Sequence, residues 1–266
     1  MKTEDNSYNE KTPVLEINGL CKNFGGLHAV SDFSMSLARG ELKGLIGPNG
    51  AGKSTVFNLI SGLYKPTRGQ IILENRDITG LSADRIVRLG VARTFQNVKI
   101  FEHTTVLETM LTAFFLVYQY NILDALFLTR RYFTQEKELT ERATYYLSLL
   151  GVDHLKDKNG NELSYGLQRK VDIARTLCLN PKVLLLDEPM AGLNSSEKDE
   201  LIDIILRLRE EFNLSIILIE HDMRIIMNVC ESIVAMNQGT CIAEGTAAEI
   251  RQNPEVISAY LGATDE

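Results

Sequence analysis

An apolar run, Leu42-Lys43-Gly44-Leu45-Ile46, leads directly into Gly47-Pro48-Asn49-Gly50-Ala51-Gly52-Lys53-Ser54-Thr55, and a helical pattern opens at Ser54. The spacing is G-x-x-x-x-G-K-S/T, in the strand–loop–helix setting the motif needs. Glycines let backbone N–H groups turn toward one centre without Cβ clashes. The following helix adds the positive end of its dipole, so the loop binds anionic phosphate. Lys53 is placed to reach the β- and γ-phosphates, and Ser54 to ligate Mg2+. Such a loop requires a buried strand before it and a packed helix after it, which makes the fold class α/β.

A second run supports this reading. Val183-Leu184-Leu185-Leu186-Asp187-Glu188-Pro189 is an aliphatic strand ending in two carboxylates. Successive side chains on a strand point oppositely, so the two acids are free to take different tasks. Asp187 is assigned to Mg2+ and Glu188 to polarising the attacking water as general base.

Short apolar runs elsewhere alternate with helical patterns. Strands are expected at residues 14–17, 29–37, 42–46 and 71–73, and parallel core strands at 183–186, 215–219 and 232–236. Residues 105–179 read as mainly helical, with breaks near Gly151 and Gly160. The end, 245–262, carries two helical patterns separated at Asn253-Pro254. Residues 1–12 are polar and acidic, a mobile lead-in without the apolar stretch of a secretory signal. Residues 111–128 approach the length of a membrane span but contain Gln119, Asn121 and Asp124. A central Asp costs ~2.5–3.5 kcal/mol on insertion, so the stretch is expected to be a buried or surface-docking helix.

The net charge of −7 over 266 residues argues against a general nucleic-acid binder, which needs a basic footprint. Cys21, Cys178, Cys230 and Cys241 form no C-x-x-C pair, and they read as free thiols in a reducing cytoplasm.

Further motifs follow in a fixed order. Leu163-Ser164-Tyr165-Gly166-Leu167-Gln168 lies between the two phosphate motifs. Arg93-Thr94-Phe95-Gln96 precedes it, and Ala191-Gly192-Leu193-Asn194 and Ile219-Glu220-His221-Asp222 come after it. With these, residues 14–262 resemble an ATP-binding cassette of the ABC transporter family, a P-loop fold with an antiparallel β subdomain and an inserted helical subdomain. The resemblance implies that Gln96 contacts Mg2+ and the attacking water, and that His221 contacts the γ-phosphate. Phe24 resembles the aromatic that stacks on adenine, and Val30 joins it in the nucleotide-binding set. Ser164 and Gly166 belong to the signature usually written LSGGQ. This chain departs from that pattern at Tyr165 and Leu167, and at Asn194, where Asp is commoner.

The Tyr-Gly signature, the stretch from Phe24 to Val30, Asn253-Pro254-Glu255 and Ala259-Tyr260-Leu261-Gly262 narrow the likeness to branched-chain amino acid importer ATPases. Urea-importer ATPases look alike, and lipopolysaccharide-exporter ATPases are more distant relatives. A soluble, non-transport cassette ATPase is the reading from another class. The resemblance implies ATP and Mg2+ as cofactors and a second cassette packed head to tail, so that Ser164 and Gly166 serve the partner's ATP. It also implies permease subunits, an external solute-binding protein reached through them, and a place at the cytoplasmic face of a bacterial or archaeal inner membrane. One cassette domain is expected at 13–262. Its core lobe is 13–104 and 180–244, its helical lobe 105–179, and its C-terminal helices 245–262, with a tail at 263–266.

Overall fold

The computed structural model describes residues 13–94, 104–118, 127 and 129–261. Two sheets organise it. The first is antiparallel: β1 (Pro13–Phe24) lies between β2 (Leu27–Ala38) and β4 (Arg68–Leu73), with the short β5 (Arg76–Asp77) beside β4. The second has six strands in the order β10-β9-β3-β8-β7-β6. It comprises β3 (Leu42–Ile46), β6 (Val91–Arg93), β7 (Val183–Asp187), β8 (Ser215–Ile219), β9 (Ser232–Asn237) and β10 (Thr240–Gly245). All its pairings are parallel except the one between β10 and β9.

β3, β7 and β8 are buried at every residue. A parallel strand covered on both faces reads as an unbroken apolar run, which explains why their sequences show no polar alternation. Their side chains still alternate between two cores. Leu184, Leu186, Ile216 and Leu218 face one core with the helices, and Val183, Leu185, Ile217 and Ile219 face the other with β1, β2 and the helix after the glycine loop. Lys43, inside β3, is tolerated because its ammonium donates to Glu244 at 2.5 Å.

The helices are α1 (Lys53–Ile60), α2 (Ala83–Leu89), α3 (Val106–Phe114), α4 (Arg130–Leu149), α5 (Tyr165–Leu177), α6 (Ser195–Phe212), α7 (Met223–Val229), α8 (Ala247–Gln252) and α9 (Pro254–Leu261). α4 buries Leu139, Ala143, Tyr146 and Leu147, a stripe at helical spacing. Capping boxes start α3 (Thr105 with Glu108), α6 (Asn194 with Glu197) and α8 (Thr246 with Glu249).

Expectation and structure agree closely at β3 and β8. β1 runs well beyond residues 14–17, because the chain continues along β2 through a two-residue turn at Gly25 and Gly26. Two 3-10 turns, Asp153–Leu155 and Gly160–Glu162, follow the breaks expected in the helical middle. The apolar stretch at 111–128 is divided. α3 ends at Phe114, turns follow, and 119–126 and 128 lie outside the described residues. Among the described residues no helix is long and apolar enough to cross a membrane.

Candidate active site

The glycine loop leaves the carboxyl end of β3 and is fastened from behind. Ala51 N–H donates to Pro48 O at 3.2 Å, and Gly239 N–H donates to Ala51 O at 3.0 Å. Ser31 N–H in turn donates to Gly239 O at 2.8 Å. The β9–β10 turn and β2 therefore clasp the loop. Two glycines are required by this clasp. A Cβ at Gly47 would lie 2.2 Å from Met236 O, and one at Gly52, whose φ is +102°, would lie 2.6 Å from Ala29 O. Gly47→Ala is expected to cost at least about 1–3 kcal/mol, the range for forced backbone strain, seen as a lower urea midpoint together with weakened nucleotide binding.

α1 begins at Lys53 with no side-chain cap and no acidic residue in its first turn. Its leading N–H groups have no intrahelical partner, which suits an anion. Lys53 is buried, and its Nζ donates to Gly47 O at 2.6 Å and Pro48 O at 3.0 Å. Burial pulls this ammonium below the usual lysine range, against the opposing influence of the Glu188 and Asp187 carboxylates.

The acids stand at the end of β7. Asp187 Oδ2 accepts from Arg93 Nη2 at 2.7 Å, and Arg93 Nη1 donates to Asn58 Oδ1 of α1 at 2.6 Å. Both members of the Arg93–Asp187 pair are nearly buried, and removing one partner of such a pair costs about 3–5 kcal/mol. The pair ties the acidic strand end to the helix that carries Lys53 and Ser54. Glu188 adopts a left-handed φ of 48°, a conformation costly for a residue with a side chain. Its N–H donates to Ile219 O at 2.9 Å, and its Oε1 lies 2.7 Å from His221 Nε2.

The glycine loop, Glu188 and His221 meet at one cavity of about 480 Å³, lined among others by Phe24, His28, Asn49, Gly50, Ala51, Gly52, Lys53, Ser54, Thr55 and Gln238, while the nearly buried Asp187 does not line it. Phe24 is half-exposed at its mouth, edge-on to Tyr64 with centroids 5.2 Å apart. Gly47 and Pro48 contribute through the carbonyls that hold Lys53. Val30 is different: it is fully buried in the core shared with β1 and α1, and its neighbour Ala29 lines the cavity instead. Gln96 lies outside the described residues.

Ser164 and Gly166 stand apart from the cavity, at the start of α5. The departures around them have local causes. Tyr165 Oη accepts from Arg169 Nε at 3.0 Å and Nη2 at 2.5 Å, and its ring lies against Gly192. Gln168 Nε2 donates to Gly160 O and Leu163 O, holding the turn before the helix. Asn194 caps α6 by accepting from Glu197 N–H at 3.0 Å, a task asparagine performs as well as aspartate.

Mg2+ fits this donor set. Ser54 and Asp187 offer hard oxygen atoms, and among the described residues no cluster of three or more His, Cys, Asp or Glu could hold a metal alone. A Mg2+ ion is commonly held by one or two protein oxygens together with substrate phosphates. Sequence reasoning gave no task to His28, Gln238 or Arg93. The link from Arg93 to Asp187 depends on β6 pairing with β7 across some ninety residues of chain, which no local pattern announces.

Comparison with known proteins gives a consistent result. Residues 30–191 match the ABC transporter family, and residues 240–266 match the branched-chain amino acid ATP-binding cassette transporter family. The chain is 44% identical over 250 residues to the high-affinity branched-chain amino acid transport ATP-binding protein BraF of Pseudomonas aeruginosa, covering 94% of this chain and 98% of that one. It is 45% identical over 250 residues to the corresponding LivG protein of Salmonella typhimurium, with the same coverage. A crystal structure of an ATP-binding cassette of an ABC transporter in its ADP conformation superposes with a TM-score of 0.82 at 32% identity, covering 94% of this chain and 99% of the other. A glycine loop, an acidic strand end and a histidine gathered at one cavity, in a chain so matched along nearly its whole length, place this protein in the ABC transporter family as an ATP-binding cassette.

Proposed function

We propose that this chain binds ATP with Mg2+ and hydrolyses it to power the uptake of branched-chain amino acids through partner permeases. One observation carries the hydrolytic part. The glycine loop, the acid pair and His221 leave the carboxyl ends of three adjacent parallel strands, β3, β7 and β8, with Glu188 and His221 in contact at 2.7 Å. The cargo is supported by the relatives, which are branched-chain amino acid transport proteins by name.

Catalysis in such a site is positioning plus electrostatic stabilisation of in-line phosphoryl transfer to water. Lys53 turns from the Gly47 and Pro48 carbonyls to the β- and γ-phosphates. Glu188 orients the attacking water and takes its proton, and His221 holds Glu188 and approaches the γ-phosphate. Ser54, Asp187 and Gln96 are the residues that would hold Mg2+, which when bound neutralises phosphate charge. Phe24 stacks on the base. Ser164 and Gly166, remote from their own cavity, complete the site of a second cassette packed head to tail.

In this reading the core lobe, 13–104 and 180–244, senses nucleotide, and the helical lobe, 105–179, moves against it. A permease helix docks near residues 96–108, beside the helical lobe. The chain works at the cytoplasmic face of a bacterial or archaeal inner membrane, held there by permeases that receive cargo from an external solute-binding protein, and it takes no nucleic acid. The test is reconstitution with its permeases in vesicles. Mg2+-dependent ATP hydrolysis is expected to drive leucine, isoleucine or valine uptake, and hydrolysis that moves none of the three would overturn the cargo assignment.

A further inference from the structure

Glu220 follows the last residue of β8, and its carboxyl group is buried between two backbone segments. Oε1 accepts from Met190 N–H at 2.8 Å, and Oε2 accepts from His221 N–H at 3.3 Å. Among the described residues it makes no ion pair. Met190 lies two residues beyond Glu188 and directly after Pro189, which has no N–H to offer. The chain leaving β7 is therefore held to the end of β8 at two points: Glu188 N–H on Ile219 O, and Met190 N–H on Glu220. Between these two points sits Glu188 in its left-handed conformation. The second carboxylate oxygen fixes the peptide that carries His221.

We propose that Glu220 is a positioning residue for hydrolysis, clamping the turn of the general base and the backbone of the switch histidine into one frame so that Glu188 and His221 meet. This rests on the reading that both residues act on ATP. An apolar residue could fill the space after β8, but only an acceptor with two oxygens satisfies both N–H groups from that position.

The arrangement is costly to the fold, which separates positioning from stabilisation. Burial pushes the Glu220 carboxyl above the usual carboxylate range. The Met190 and His221 N–H groups and the Lys198 charge on α6 oppose that shift, and Glu188 adds to it. A carboxyl raised on folding contributes stability that is full below its unfolded value and lost as pH rises through the folded one. Glutamine removes the cost of burying a charge and keeps an oxygen acceptor, so Glu220→Gln is not expected to lower the melting temperature, whereas Glu220→Val leaves the buried Met190 N–H without its acceptor.

The experiment compares the full-length chain with Glu220→Gln and Glu220→Val, reading phosphate release against ATP concentration and thermal unfolding at pH 7.5. Glu220→Val is expected to lose kcat by about 10-fold or more, as misplacement of reacting groups does, with KM within about 2-fold. Glu220→Gln, which keeps one oxygen acceptor, is expected to lose less, with a melting temperature equal to or above that of the unaltered chain. In a Glu188→Gln background, Glu220→Val is expected to add less than its full single-variant loss, because part of its effect is carried by Glu188. Unchanged kcat in both single variants, or full additivity with Glu188→Gln, would overturn the proposal alone. An unaltered chain that releases no phosphate would overturn the hydrolytic reading, and the proposal with it.

Discussion

A chain carrying Glu188→Gln is expected to bind ATP as the unaltered chain does, yet release phosphate about 10²–10⁴-fold more slowly, the range for losing a general base. The substitution is nearly isosteric. The left-handed turn at residue 188 is set by its backbone bond to Ile219 O, which glutamine keeps. Glutamine also retains an oxygen for His221 Nε2. What disappears is the ability to accept a proton from water. Lys53 and the glycine loop are untouched, so affinity measured with a fluorescent ATP analogue should not fall. Normal phosphate release from this variant would remove Glu188 as the base.

Lys53→Ala is expected to weaken ATP binding by about 10²-fold or more, since hydrogen bonds to charged groups contribute about 1.5–3 kcal/mol each and Lys53 is positioned to serve two phosphates. The effect has a second source. The Lys53 ammonium now holds the Gly47 and Pro48 carbonyls together across the loop. Alanine leaves both acceptors without that donor and slackens the N–H cradle as well as removing its charge. Equilibrium binding of the same fluorescent analogue checks this, and retained affinity would show that the cradle is misassigned. The two variants separate the tasks: one breaks binding, the other breaks chemistry.

The parts of this molecule legible in its sequence are those written in contiguous residues. The run from Leu42 to Thr55 declares strand, loop and helix because glycine spacing, apolar content and helical periodicity all fall in one window. The same holds for β7 and its two acids. The edge strands β5, β6 and β10 were not visible in this way. They have 2, 3 and 6 residues, and β5 and β6 are too short for a period of two to emerge. Among the site residues, Lys53, Glu188 and His221 share one cavity. Val30, grouped with the nucleotide by resemblance, is turned by strand alternation into the core, and Ala29 stands at the cavity. Arg93 and Glu220 were hidden for a common reason. Arg93 meets Asp187 on the neighbouring strand, and Glu220 meets Met190 in the loop beyond β7, contacts set by sheet order and not by spacing along the chain.

The sheet order also divides the molecule's tolerance for change. The glycine loop with Lys53, the acids Asp187 and Glu188, and His221 all follow one rim of the six-stranded sheet, at the carboxyl ends of β3, β7 and β8. The opposite rim, where Gly40 N–H meets Ser215 Oγ and Ser215 N–H meets Lys182 O, only returns the chain to its next strand. Inserting one residue between Asp187 and Glu188 would swing Glu188 out of reach of His221. Lengthening the connection near Asn180 would alter a surface bend and leave the chemistry where it stands. Loop lengths are thus free to drift on one rim and held to the residue on the other, and that is the side on which a splice, tag or fusion belongs.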